Sequence, residues 1–210
     1  MAAYAKPKRS VFSADRREAI VEAAAEIFLE RGYAGATTDR LIERIGGSKE
    51  TVYSHFGNKA GLFEAVMARN SAILVEEVTA LDPNRPVAET LASFGRTYLT
   101  VILTPQKLAM FRLAAAESAR SPELGAAFWR AGPSKVTERM AHYFATLAER
   151  GLVTAADPHW EATTFLATLR GELHLQALLD PGFVTDAPAI SRHVGACVEA
   201  LLGRIGAAKA

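Results

Sequence analysis

Apolar residues recur at helical spacing almost from one end of this chain to the other. Ile20, Ala24, Ile27 and Phe28 fall on one stripe, which predicts a helix closed by Gly32. Leu62, Phe63, Val66, Met67, Ile73, Leu74 and Val78 predict a longer helix that ends before Pro83. Val87, Leu91, Phe94, Tyr98 and Ile102 predict the next, stopped by Pro105, and Leu108, Phe111 and Ala115 follow. Ser121 and Pro122 read as the N-cap and first turn of another segment, which Gly132 and Pro133 break. Val136, Met140, Tyr143, Phe144 and Leu147 then run on to Gly151. Ile190, Val194, Cys197, Val198, Leu201, Leu202 and Ile205 make the most regular stripe of all. No stretch alternates at period two for long enough to predict a strand. The fold class expected is all-α.

Between the first two stripes the pattern tightens. Thr37 or Thr38 can cap a very short helix whose apolar face is Leu41, Ile42 and Ile45. Gly46-Gly47 permits a sharp turn, because glycine accepts positive φ without steric cost. Ser48 caps a second short helix with Val52 and Phe56 turned inward, Gly57 ends it, and Asn58 can cap the long helix beyond. Two short helices joined by a glycine turn are a helix-turn-helix pattern, here over residues 37–56. The start of the second helix carries Ser48, Lys49, Glu50, Thr51 and Tyr53, side chains that can reach bases and phosphates.

Composition adds little until it is divided. Half of the 210 residues are hydrophobic and 22% are charged, as in an ordinary packed soluble protein, and the net charge is +1. Residues 1–17, however, carry Lys6, Lys8, Arg9, Arg16 and Arg17 against the single Asp15, a basic arm ahead of a slightly acidic body. No apolar run approaches the roughly 18 residues of a membrane span, and no apolar core follows the first basic residues, so a cytoplasmic protein is expected. The one cysteine, Cys197, reads as a buried small hydrophobe. There is no Gly-x-Ser-x-Gly elbow, no phosphate-binding glycine loop and no His-Glu-x-x-His. The five histidines show no metal spacing beyond a weak Glu138–His142 pair. Neither an enzyme nor a cofactor or metal is expected.

Phe28-Leu29-Glu30-Arg31-Gly32-Tyr33, the pair Thr37-Thr38, the turn Ile45-Gly46-Gly47-Ser48 and the set Lys49, Thr51, Val52, Tyr53, Phe56 and Lys59 stand in register. Together they resemble the DNA-binding domain of the TetR family of bacterial transcriptional regulators. The departures are Ile42 and Ile45 where the family usually has alanine, Gly47 where it has valine, and His55 where it commonly has an aromatic residue. The resemblance implies a three-helix DNA-binding domain over 14–74, after a basic arm at 1–13, and a larger helical ligand-binding and dimerisation domain over 75–210. It also implies DNA contacts from Thr37, Thr38, Ser48, Lys49, Glu50, Thr51, Tyr53, His55 and Lys59. One short helix reads few bases, so a homodimer on a pseudo-palindromic double-stranded operator follows. The alternative is a small-molecule-binding protein of the same fold that has lost DNA binding, against which the intact Lys49, Thr51, Tyr53 and Lys59 argue.

Residues 104–113, 121–133, 169–173 and 177–179 further resemble the AefR-like branch of that family. By the same resemblance, helices at about 159–179 and 187–205 form the dimer face, the second carrying the small residues Gly195, Ala196 and Ala200. Pockets are apolar with a few oriented polar groups. The candidates of that kind are Phe94, Tyr98, Phe111, Arg112, Trp129, His142, Tyr143, Arg170 and His174. Arg170 and His174 lie four apart on one helical face, suited to an acidic ligand or to the dimer seam. The inducer expected is a small apolar or amphipathic molecule, whose binding shifts the long helix at 58–81 and releases a repressor from DNA.

Overall fold

The computed structural model describes residues 14–206. Ten helices run through them, and no strand occurs among the described residues. They are α1 (Ala14–Gly35), α2 (Thr38–Ile45), α3 (Lys49–Phe56), α4 (Lys59–Thr79) and α5 (Val87–Ile102). Then come α6 (Pro105–Ser118), α7 (Pro122–Ala131), α8 (Pro133–Glu149), α9 (Pro158–Leu179) and α10 (Ala187–Ile205). The basic residues Lys6, Lys8 and Arg9 lie outside the described part. No helix among the described residues is long and apolar enough to cross a membrane.

Two compact units divide between Val66 and Met67, inside α4, whereas the sequence reading set its division after residue 74. The apolar period runs through 62–78 without interruption, so no change of pattern marks the join. In the first unit, Ile20, Ile27 and Phe28 of α1, Leu41 of α2, Val52 and Phe56 of α3, and Leu62 and Phe63 of α4 are buried. Phe28 and Phe63 meet edge to face at 5.3 Å, and Tyr33 stacks on Phe28 at 5.7 Å. Tyr33 gets there because Gly32 (φ 68°, ψ 174°) breaks α1 where the sequence ends the stripe. Ile42 and Ile45 are half-buried, so Leu41 alone of α2 is a full core residue.

In the second unit α8 packs along α9, α5 lies against α10, and α6 pairs with α7. Its core is made of Leu91, Phe94 and Leu99 of α5, Met140, Phe144 and Leu147 of α8, Phe165 and Leu169 of α9, and Val194, Leu201 and Ile205 of α10. Gly95 sets how closely α5 can approach: a Cβ there would stand 2.7 Å from Val194 Cγ1 and 3.2 Å from Leu169 Cδ2. Proline opens α6, α7, α8 and α9, where its missing N–H costs no helical bond. Asp157 and Asp186 cap α9 and α10 with bonds of 2.9 and 2.7 Å to Trp160 N and Ala189 N. Ser121 holds the N-cap position of α7 but makes no capping bond, and its ψ of 79° lies well away from the extended value of the Asp186 cap, 164°.

Candidate nucleic-acid interface and ligand cavity

The turn between α2 and α3 is made by Gly46 (φ 68°) and Gly47 (φ 103°), a conformation that any Cβ would strain. Gly46 N–H donates to Ile42 O at 2.7 Å, and Arg16 Nη2 reaches across from α1 to donate to Gly46 O at 3.0 Å. Arg16, counted in the sequence with the basic arm, is thus bound to the turn. A side chain at 47 would crowd it, since a Cβ there stands 3.1 Å from Arg16 Nη2. Arg44 ties α2 to α1 through Glu26 and Glu30, at 3.0 and 3.1 Å. Arg17 lies over the Phe56 ring at 5.3 Å.

This bracing fixes α3 from behind. Ser48 Oγ accepts from Thr51 N at 3.2 Å and lies 2.9 Å from Thr51 Oγ1, which caps the helix as expected. Val52 and Phe56 face the core, while Ser48, Lys49, Glu50 and His55 are exposed, Tyr53 is 39% exposed and Thr51 is half-buried. Lys49 Nζ pairs with Asp39 of α2 at 2.7 Å, and the carboxylate's hydrogen bond and charge raise its pKa. Thr38 Oγ1 and Tyr53 OH are 2.5 Å apart, a second bridge from α2 to α3. Thr37 caps α2 through Arg40 N at 3.4 Å, and Asn58 Oδ1 accepts from Gly61 N at 2.9 Å. Lys59 Nζ donates to Ala34 O at 3.2 Å and sits 4.5 Å from the centre of the Tyr33 ring. Asp39, Arg16 and Arg44 were not singled out as site residues. Long polar side chains on short helices carry no periodic signal of which partner they meet.

The second unit holds a cavity of about 110 Å³, several times the 10–15 Å³ that one water needs. Tyr98, Phe111, Trp129, Arg170 and His174 line it. So do Lys107, Phe128, Met67, Met110 and Asn70, which the sequence did not single out. Phe111 meets Phe128 and His174 edge to face, at 5.5 and 5.2 Å. Lys107 Nζ donates to Asn70 O and Asn70 Oδ1, and burial lowers its pKa. Burial also holds His174 down at about 4, with the Arg170 charge adding to the effect.

Four candidates lie elsewhere. Phe94 is sealed in the core, stacked on Tyr98 at 5.7 Å. Arg112 points away to the end of α9, donating to Leu178 O and Ala177 O at 2.9 and 2.6 Å. His142 and Tyr143 border a different hollow with Val78, Leu81 and Arg139. Helical spacing gives the face of a residue, but which neighbour covers that face is decided by packing. Arg170 and His174 do reach one cavity, although α9 is not continuous between them: Gly171 (φ 40°, ψ −142°) breaks it. His193 Nε2 lies 2.9 Å from Leu169 O beside that break. Cys197 is buried as expected, and burial raises its thiol pKa.

Residues 20–66 match the family described as bacterial regulatory proteins, tetR family, and residues 89–207 match the C-terminal domain of AefR-like transcriptional repressors. The transcriptional repressor AcnR of Corynebacterium diphtheriae is 45% identical over 65 residues, covering 31% of this chain and 34% of that protein. The transcriptional activator FasR of Mycolicibacterium smegmatis is 41% identical over 64 residues, 30% of this chain and 29% of that one. The chain thus spans about a third of the length of the curated relatives it matches. Among solved structures, a Mesorhizobium loti protein assigned to the TetR family superposes with a TM-score of 0.80 at 28% identity, covering 91% of this chain and 96% of that one. The flavonoid-responsive regulator FrrA gives 0.78 at 27% identity, over 91% and 97%. A braced helix-turn-helix in the first unit and an AefR-like second unit make this chain a member of the TetR family of DNA-binding transcriptional regulators.

Proposed function

We propose that this protein is a homodimeric repressor that reads a pseudo-palindromic operator and is released from it by a small molecule bound in the second unit. The observation that carries the reading is the row Ser48, Lys49, Glu50, Thr51 and Tyr53. It is polar and accessible at the start of a helix whose other face, Val52 and Phe56, is locked in the core. Lys49 and Glu50 are the base-reading pair, since lysine suits guanine O6 and N7 and glutamate suits cytosine N4. The Lys49–Asp39 pair is exposed on both sides, so it exchanges for a base at little cost. Thr37, Thr38, Ser48, Tyr53 and His55 supply phosphate contacts around that centre. Lys59 stands at the edge of the set, where the free amides of the α4 N-terminus favour an anion.

The dimer forms through α9 and α10. Their outward surface supports this, with Leu175 and Leu179 exposed at 56% and 76% and with Gly195, Ala196 and Ala200 exposed in a row that permits close approach. The cavity residues Tyr98, Phe111, Trp129, Arg170 and His174 receive the inducer, in keeping with the flavonoid response of FrrA. The test is selection of sites from a random duplex pool at about 150 mM salt, which suppresses non-specific phosphate binding. The expected result is an enriched inverted repeat with half-sites about 34–36 Å apart, lost in a K49A/Y53A variant. No enrichment from folded protein, or a double variant that binds as tightly as wild type, overturns the reading.

A further inference from the structure

The cavity of the second unit has charged groups of one sign. Its lining includes Lys107 and Arg170 and no aspartate or glutamate. Arg170 is half-buried, yet its guanidinium makes no hydrogen bond or ion pair with any described residue. Arg112, half-buried in the same unit, is satisfied by the carbonyls of Ala177 and Leu178, and even the exposed Arg204 is paired with Glu161 at 3.0 Å. A half-buried guanidinium with five donors and no acceptor is a group that a ligand can complete. Tyr98 lies close enough to feel the Arg170 charge, and its hydroxyl, too, bonds to no described residue. Burial raises the Tyr98 pKa, so the phenol stays an O–H donor. Lys107 has spent two of its three N–H groups on Asn70.

We propose that this cavity is a receptor for an apolar monocarboxylic acid, its carboxylate paired with Arg170 and Tyr98 and its body laid against Phe111, Phe128 and Trp129. The inference rests on the ligand-responsive reading above and adds the chemical class of the ligand. A planar fork of N–H donors matches a carboxylate with two parallel bonds, which no neutral head reproduces. A carboxylate leaves water only when its oxygens are met by donors, and here Arg170, the Tyr98 hydroxyl and the remaining Lys107 N–H supply them. His174 stays neutral near pH 7 and contributes an aromatic wall rather than a charge. A cationic head would meet two positive groups and no compensating acid.

Isothermal titration of the full-length protein with naphthalene-2-carboxylate, naphthalene-2-carboxamide and 2-naphthylmethylammonium tests this on one apolar body with three charges. The carboxylate is expected to bind at least tenfold more tightly than the amide, and the ammonium more weakly than either. In R170Q the carboxylate should fall to the level of the amide while the amide changes less than twofold. R170K, which keeps the charge but not the fork, should retain part of the preference. Amide and carboxylate binding within twofold of one another in wild type overturns the inference and leaves the ligand-responsive reading standing. A carboxylate preference that persists in folded R170Q overturns it as well. No binding of any of the three at millimolar concentration overturns both. The wild-type charge series decides the matter even if the Arg170 variants fail to fold.

Discussion

Replacing Gly95 by alanine asks how α5, α9 and α10 were fitted together. In the middle of an exposed helix, glycine to alanine gains about 1 kcal/mol. Here the new methyl stands 2.7 Å from Val194 Cγ1, 3.4 Å from Cγ2 and 3.2 Å from Leu169 Cδ2. Both neighbours are fully buried, so neither can swing out, and overpacking of this kind costs about 1–3 kcal/mol. The net expected for G95A is a loss of about 1 kcal/mol. V194A alone removes two buried methyl groups, at about 0.8 kcal/mol each plus the cavity they leave, for a loss of about 2–3 kcal/mol. In G95A/V194A the methyl added at position 95 enters the space vacated by the valine, the 2.7 Å clash disappears, only the 3.2 Å contact with Leu169 Cδ2 stays, and the helix-propensity gain remains. The same G95A change should then stabilise by about 1 kcal/mol, a reversal of sign and a coupling of about 2 kcal/mol. Urea denaturation of the four proteins at one fixed concentration reads this directly, because the assembly state also bears on apparent stability. Equal effects of G95A in both backgrounds, within about 0.5 kcal/mol, would refute the packing argument.

Two further predictions concern the cavity wall and the end of α9. The folded pKa of His174, about 4, lies below its usual value near 6.5, so the unfolded chain binds the extra proton between those pH values. Stability attributable to this group is therefore full above about pH 6.5 and lost as pH falls toward 4, a difference of about 1–2 kcal/mol once its partial exposure is allowed for. H174Q should flatten that part of the urea midpoint against pH; an unchanged slope would remove His174 as its source. R112M should lose two charge-assisted bonds to the last carbonyls of α9, worth together about 2–4 kcal/mol. Hydrogen exchange in R112M should accelerate at the C-terminal end of α9 well beyond α8, and uniform acceleration across both helices would count against a local clamp.

Turns, caps and helix faces were legible in the sequence because each is fixed by a local requirement. Gly46-Gly47 turns the chain since few other residues accept those φ values, Ser48 and Asn58 cap because a short acceptor precedes a helix, and Val52 and Phe56 are inward by spacing alone. The destinations of long side chains were not legible. Arg112 and His142 lie on the same helices as cavity residues, yet one is taken by the end of α9 and the other is exposed to solvent. Lys107 went unnoticed because an isolated lysine early in a helix looks like solvated surface until Asn70 is seen against it. Gly95 likewise reads as a flaw in a helical stripe, and only the positions of Leu169 and Val194 explain it. The residues of the helix-turn-helix are contiguous in sequence, whereas those of the cavity are gathered from separate helices along the second unit.

The placement of the indole side chains has an experimental consequence. Both tryptophans of the chain, Trp129 on the cavity wall and Trp160 at the start of α9, belong to the second unit, and the helix-turn-helix unit has none among its residues. Tryptophan emission is therefore blind to DNA contacts as such. Any change in Trp129 emission when operator is added to a W160F protein has to travel from one unit to the other. Under the proposed release of operator by ligand, the same coupling free energy must weaken ligand binding when operator is present, so ligand affinities read from Trp129 emission with and without operator give that coupling from the ligand's end. The proposed coupling thus comes with an unlabelled gauge, its emitter confined to the second unit.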